Sequence, residues 1–205
     1  RKGDVYIPGD IGFAVKAQEK KLTAGEPVPF CYFIPAMYVR KGNPKAIKDI
    51  ADLARPGLKL ALADPSAAVG QLQAHVFKKN KLDEAALKKN TMSSPATVIE
   101  VAMAVKIGAV DAGIIWDALG NFAPDEAELV RIPSEINAIG VVSATVLASS
   151  KNTAAAKAFL DYLVSKQGQA ILKSKGFAVD KPEDRSVSVQ SLTRVPLLVH
   201  VGGTM

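Results

Sequence analysis

Few side chains in this 205-residue chain are placed to do chemistry. Asp4, Asp10, Asp64, Asp111 and Asp117 fall where β-type runs end, the position of catalytic carboxylates in open α/β sheets. None has a histidine partner, a cysteine nucleophile or a metal-ligand cluster beside it. An aspartate at a strand end ordinarily caps the next turn. His75 and His200 are far apart and share no ligand spacing. Ser93 and Ser94 lack the Gly-x-Ser-x-Gly setting of a hydrolase elbow. The single cysteine, Cys31, excludes an intramolecular disulfide and a cysteine zinc cluster, and its apolar neighbours predict a buried, inert thiol. From these residues neither an enzyme, a cofactor nor a metal site is expected.

Main-chain chemistry is better signalled. In residues 58–80 a β-type run, LKLALA, stops at Asp64-Pro65, and a small-residue loop (Ser66, Ala67, Ala68, Val69, Gly70) opens into a helix carrying Leu72, Val76 and Phe77. A strand, a tight loop and a helix N-terminus present unbonded N–H groups and a positive helix end to an anion. The same pattern also serves as an ordinary βα connection. A second helix start follows at residues 93–108. Ser94 before Pro95 has N-cap and N1 chemistry, and Thr97 with Glu100 fits a capping box.

The elements that must carry these loops alternate along the chain. Short strands are expected at residues 5–7, 109–116 and 129–132, and long extended segments at 30–40, where Pro35 implies a break or an edge, and at 140–147. Helices are expected at about 13–21, 47–53, 83–90, 96–108 and 153–175, the last interrupted near Gly168. This alternation predicts an α/β fold of mostly parallel sheets with flanking helices. The extended segments near 30–40 and 138–148 bracket about 100 central residues, the wiring of a two-lobed, hinged binding protein. The expected lobes are 1–36 with 140–205, discontinuous, and 37–139, continuous.

Composition narrows the partners. A hydrophobic fraction of 48% supports a sizeable core. The net charge of +6, from 26 Lys and Arg against 20 Asp and Glu, is spread thinly over helix ends and polar faces. No Arg-rich run or basic–aromatic interleaving points to nucleic acid. A mildly positive surface still draws small anions by long-range steering. No stretch reaches the roughly 20 apolar residues of a membrane span.

Four motifs, GDVYIPGD (3–10), LALADPSAAVGQLQA (60–74), EVAMAVKIGAVDAGIIWDAL (100–119) and AKAFLDYLVSKQGQAILKSKGF (156–177), stand in an order and spacing that resembles the periplasmic molybdate/tungstate-binding proteins of ABC importers. The resemblance covers about residues 3–178. It implies a type II periplasmic-binding-protein fold, a small oxyanion as ligand, a membrane permease as partner, an extracytoplasmic location and no enzymatic activity. It also implies that hydroxyls and backbone N–H groups, not positive side chains, hold the anion. By position these are Val69 and Gly70 from the central loop, Ser94, Thr97 and Val98 from the second turn, and Trp116 where the family has a ligand-contacting tyrosine. Indole offers one donor and no acceptor. The central loop is also one residue shorter than the usual family loop and lacks its second proline. Effector domains of LysR-type transcription regulators share the same two-lobed plan and give the alternative reading, although no helix-turn-helix segment is seen.

At its start the chain lacks the family's first strand, whereas residues 197–205, LLVHVGGTM, resemble it, with Thr204 in the place of the ligand serine. This implies the junction of two tandem domains, with 180–194 as a polar linker, or a circularly reordered chain; a plain C-terminal extension is the remaining option.

Overall fold

A computed structural model describes residues 3–180. The expected linker beyond Asp180, the strand-like segment 195–205 and Thr204 lie outside the described residues. Two sheets organise the rest. The smaller is formed by β1 (Val5–Tyr6), β8 (Gly140–Val146) and β2 (Val28–Phe33) in the order β1-β8-β2, antiparallel throughout. The larger contains β3 (Pro35–Arg40), β4 (Leu60–Ala61), β5 (Thr91–Ser93), β6 (Ala112–Trp116) and β7 (Ala127–Arg131), in the order β5-β4-β6-β3-β7.

The fold class is the expected one, α/β with two sheets and flanking helices. The expected predominance of parallel ladders, however, is confined to β4 with β5 and β6. β3 runs antiparallel to both β6 and β7. The reason is its entry from the neighbouring sheet: β2 and β3 are separated only by Ile34, so β3 arrives directly and not by a βαβ crossover. Pro35, which has no N–H to give to a ladder, is tolerated as the first residue of its strand.

Six α-helices complete the described residues: α1 (Ile11–Glu19), α2 (Ala68–Lys79), α3 (Glu84–Asn90), α4 (Val98–Lys106), α5 (Thr153–Val164) and α6 (Lys166–Ser174). The expected segment 153–175 breaks at Ser165, not at Gly168. Ser165 is extended, and its hydroxyl accepts from the Gly168 N–H at 3.1 Å, which starts the second helix. The expected 47–53 helix is a short 3-10 turn, Ile50–Ala54, closed by the Asp49 and Asp52 carboxylates.

The larger sheet holds the main core. Every residue of β6 is buried, as is β3 up to Val39, so both sheet faces are covered. Met37, Tyr38, Ile114 and Ile115 meet Leu60, Val76, Val101 and Val105 there. The smaller sheet packs Ala144 and Val146 of β8 against Ala156 and Leu160 of α5. The opposite face of β8 carries Ser143 and Thr145, both 0% exposed, and their hydroxyls have no hydrogen-bond partner among the described residues. A buried hydroxyl left unpaired costs about 1–3 kcal/mol. Ser143→Ala and Thr145→Val are therefore expected to leave stability unchanged or raise it by about 1 kcal/mol each. Urea midpoints check this: a loss above that size in either variant would mean that the hydroxyl is bonded.

Two connections join the sheets, one at Ile34 and one at residues 132–139. Asn137, buried, ties them together: its Nδ2 donates to the Pro35 carbonyl at 2.9 Å, and the Ala138 N–H returns to its Oδ1 at 2.8 Å. From α2, Lys79 Nζ donates to the Asn137 carbonyl at 3.0 Å and Asn80 Nδ2 to the Ile136 carbonyl at 2.8 Å.

Candidate functional site

Because β4, β5 and β6 are parallel, their C-terminal ends leave the larger sheet at one edge. The loop after β4 leads to α2, the loop after β5 to α4, and β6 ends on Trp116. Two main-chain bonds tie the loops together, Leu62 N–H to the Ser93 carbonyl at 3.2 Å and Asp64 N–H to the Pro95 carbonyl at 2.8 Å. Loop 64–67 is then fixed by its own chemistry. The Asp64 carboxylate accepts from the Ser66 hydroxyl at 2.6 Å and the Ser66 N–H at 2.8 Å, and these bonds hold it below the usual carboxylate range. Gln73 reaches back from α2 and bonds both the N–H and the carbonyl of Ala63, at 3.3 and 2.8 Å.

At the start of α2 the N-cap, Ala67, has no side-chain acceptor to offer. The first main-chain bond of this helix runs from Gln71 N–H to the Ala67 carbonyl. The N–H groups of Ala68, Val69 and Gly70 are left without an acceptor among the described residues. α4 begins differently. The Thr97 hydroxyl accepts from Glu100 N–H while the Glu100 carboxylate takes the Thr97 N–H at 2.9 Å, the reciprocal capping box that residues 97–100 signal. The N–H groups of Val98 and Ile99 still have no acceptor among the described residues.

All the sequence-predicted site residues except Thr204 lie within the described structure. Val69, Gly70 and Val98 stand at the two helix starts, with Val69 and Gly70 buried and Val98 half-buried. Ser94 is exposed on the loop beside them, and the Thr97 side chain is spent on its cap. Trp116, 6% exposed, closes the same edge. Its ring stacks on Phe33, at the end of β2, with centroids 4.6 Å apart and planes at 24°; Phe33 lies 5.9 Å from Phe177. Gln73, Asn137, Phe33 and Phe177 support this edge from distant parts of the sequence. They carry no local motif, and only the fold brings them to this edge.

The smaller sheet reaches the same place through the β1–α1 loop. A Cβ on Gly9 would stand 2.8 Å from the Ala68 Cβ, so glycine is what lets this loop lie against the start of α2. Next to it, Asp10 caps α1 by accepting from Gly12 N–H at 2.8 Å. Burial pushes the Asp10 carboxyl up, against the Gly12 bond and the nearby His75 and Lys16 side chains. A carboxyl whose pKa is raised on folding takes up its proton more readily folded than unfolded. Its ionised form therefore costs stability at neutral pH, and that cost is relieved as the pH falls through the folded value. Asp10→Asn keeps the acceptor for Gly12 and removes the charge. Its melting temperature is expected to exceed that of the parent at pH 7, with the difference vanishing in acid. A variant less stable than the parent at pH 7 would show that the cations outweigh burial.

The arrangement is an α/β fold of two sheets in which two neighbouring helix starts, 68–70 and 98–99, carry amides with no acceptor among the described residues. Residues 1–178 match the family described as bacterial extracellular solute-binding protein. The chain belongs to that family. The molybdate-binding protein ModA of Mycobacterium tuberculosis is 27% identical over 175 residues, or 85% of this chain and 65% of that protein. The chain thus spans about 65% of the length of the curated relatives it matches. Among solved structures, the sulfate-binding protein SubI from Mycobacterium tuberculosis H37Rv superposes with a TM-score of 0.73 at 21% identity, covering 89% of this chain and 70% of that one. The periplasmic molybdate-binding protein of Azotobacter vinelandii gives 0.69 at 17% identity, over 87% and 79% of the two chains.

Proposed function

We propose that this chain serves an ABC importer as its solute-capturing component, closing two lobes around a small oxyanion of the molybdate or tungstate type. The observation that carries this reading is the pair of adjacent helix starts, 68–70 and 98–99, whose N–H groups have no acceptor among the described residues. Such amides are preorganised donors for a tetrahedral dianion, and two positive helix ends add to the field. The proposed ligand-holding residues are Val69, Gly70, Ser94, Val98 and Trp116, with Thr97 holding the second turn in shape and Thr204 contributing a hydroxyl. The proposed lobes are 1–36 with 140–205, and 37–139, with the extended segments 30–40 and 138–148 as hinge strands. A membrane permease is the proposed partner and an extracytoplasmic compartment the proposed location. The relatives named for molybdate support the ligand class, and Trp116 in place of a tyrosine bears on which oxyanion is preferred.

Calorimetric titration of the full-length protein with molybdate, tungstate, sulfate and phosphate tests the proposal. Saturable heat with molybdate or tungstate is expected, together with a thermal stabilisation that grows with ligand concentration to about 4 kcal/mol at a thousandfold excess over Kd. Val69→Pro, which removes one donor, is expected to weaken the same titration. No heat and no stabilisation with any of the four anions would overturn the oxyanion assignment.

A further inference from the structure

The larger sheet ends at β7, and this edge looks onto a groove of about 620 Å³. One wall is the strand itself with residues 117–121, and the other is the C-terminal end of α6 with Lys175 and Gly176. The register shows which groups the edge presents. Lys41 N–H donates to the Glu126 carbonyl at 2.8 Å, so residues 41 and 126 form a bonded pair and bonded pairs alternate from there. Val39 with Glu128 and Met37 with Val130 exchange bonds between β3 and β7. Leu129 and Arg131 therefore turn their N–H and carbonyl groups away from β3, and no described residue bonds them. The Leu129 side chain is tucked against Gly120, where an added Cβ would lie 2.3 Å from its Cδ1, which holds this edge in place.

The groove is net positive: Lys41, Arg131, Lys173 and Lys175 line it against Asp117 and Glu128. Arg131 pairs with Asp117 at 3.1 Å, Lys41 with Glu128 at 3.8 Å and Lys173 with Asp180 at 2.8 Å. Lys175 is exposed and has no ion pair among the described residues. The α6 end does not offset this charge with open carbonyls, because Gly176 N–H returns to Lys173 and Phe177 N–H to Leu172, at 3.0 and 3.1 Å.

We propose that this groove docks an extended, acidic segment of a protein partner, which adds a sixth strand along β7 and sets its carboxylates against Arg131 and Lys175. Strand addition takes affinity from main-chain bonds and specificity from the flanking side chains. An open edge of this kind is a template for such pairing. A second copy of the chain is the poorer occupant, since β7 against β7 across a two-fold axis brings two net-positive grooves face to face.

The test uses the full-length protein and a fluorescein-labelled peptide of about seven residues alternating valine with glutamate, a usual strand length. Anisotropy is expected to show saturable binding that Lys175→Glu weakens at least about tenfold with the melting temperature unchanged. Methylating alternate peptide nitrogens, which removes main-chain donors and keeps the charge, is expected to abolish binding. A lysine-for-glutamate peptide is expected not to bind. Absence of saturable binding, equal binding of the N-methylated peptide, or indifference to Lys175→Glu would each overturn the proposal. None of these measurements involves the oxyanion cleft, so they stand or fall separately from it.

Discussion

Gly70→Ala is expected to destabilise the protein by about 1–3 kcal/mol and to lower oxyanion affinity at least about a hundredfold. Two effects oppose each other at this position. Alanine in a helix is favoured over glycine by roughly 1 kcal/mol, which would stabilise α2. Against this, the new Cβ would lie 1.9 Å from the Asp64 carbonyl oxygen, 2.7 Å from its carbon and 3.1 Å from the Ala63 oxygen. These are main-chain atoms and cannot rotate aside, so the loop or the helix start must move. Overpacking of this kind costs about 1–3 kcal/mol or more, and the steric term wins. The displaced loop is the one bonded to Pro95, so the shift reaches the second helix start as well. Two charge-assisted bonds lost at about 1.5–3 kcal/mol each account for the expected fall in affinity. Urea unfolding and titration of the variant beside Gln71→Ala, an exposed neighbour, give the comparison. Wild-type affinity in Gly70→Ala would remove the α2 amides from the site.

Trp116→Ala is expected to cost about 3–5 kcal/mol, because it empties a large buried volume and leaves Phe33 without its stacked partner. Trp116→Phe separates packing from ligand chemistry. It keeps a ring against Phe33 and removes the indole N–H, so stability should change far less while oxyanion affinity falls about ten- to hundredfold, the value of one bond to a charged acceptor. As Trp116 is the sole tryptophan, the parent's intrinsic fluorescence reports on this ring directly. Unchanged affinity in Trp116→Phe would show that the indole N–H does not touch the ligand, whatever the alanine variant does to stability.

Much of the candidate site is legible in the sequence. The Asp64-to-Gly70 loop, the Thr97–Glu100 capping box and the strand ending at Trp116 announce themselves through turn chemistry, cap spacing and apolar runs, which are local properties of a few neighbouring residues. Its supports are not. Gln73 bonds a residue one strand back, Asn137 bonds the Pro35 carbonyl 102 positions away, and Phe33 and Phe177 meet only around Trp116. The direct entry of β3 from β2 reversed the expected strand directions without leaving a compositional trace.

By itself the sequence determined the capping box at Thr97–Glu100 and the small-residue loop that opens α2. Those follow from backbone preferences and residue chemistry within a few positions. The tertiary structure decided which of the amide-rich loops share an edge, that Gly9 meets Ala68, and that no described residue pairs with the outer side of β7 beside α6. These depend on strand order and direction, which are set by long-range burial of apolar faces and not by any local preference.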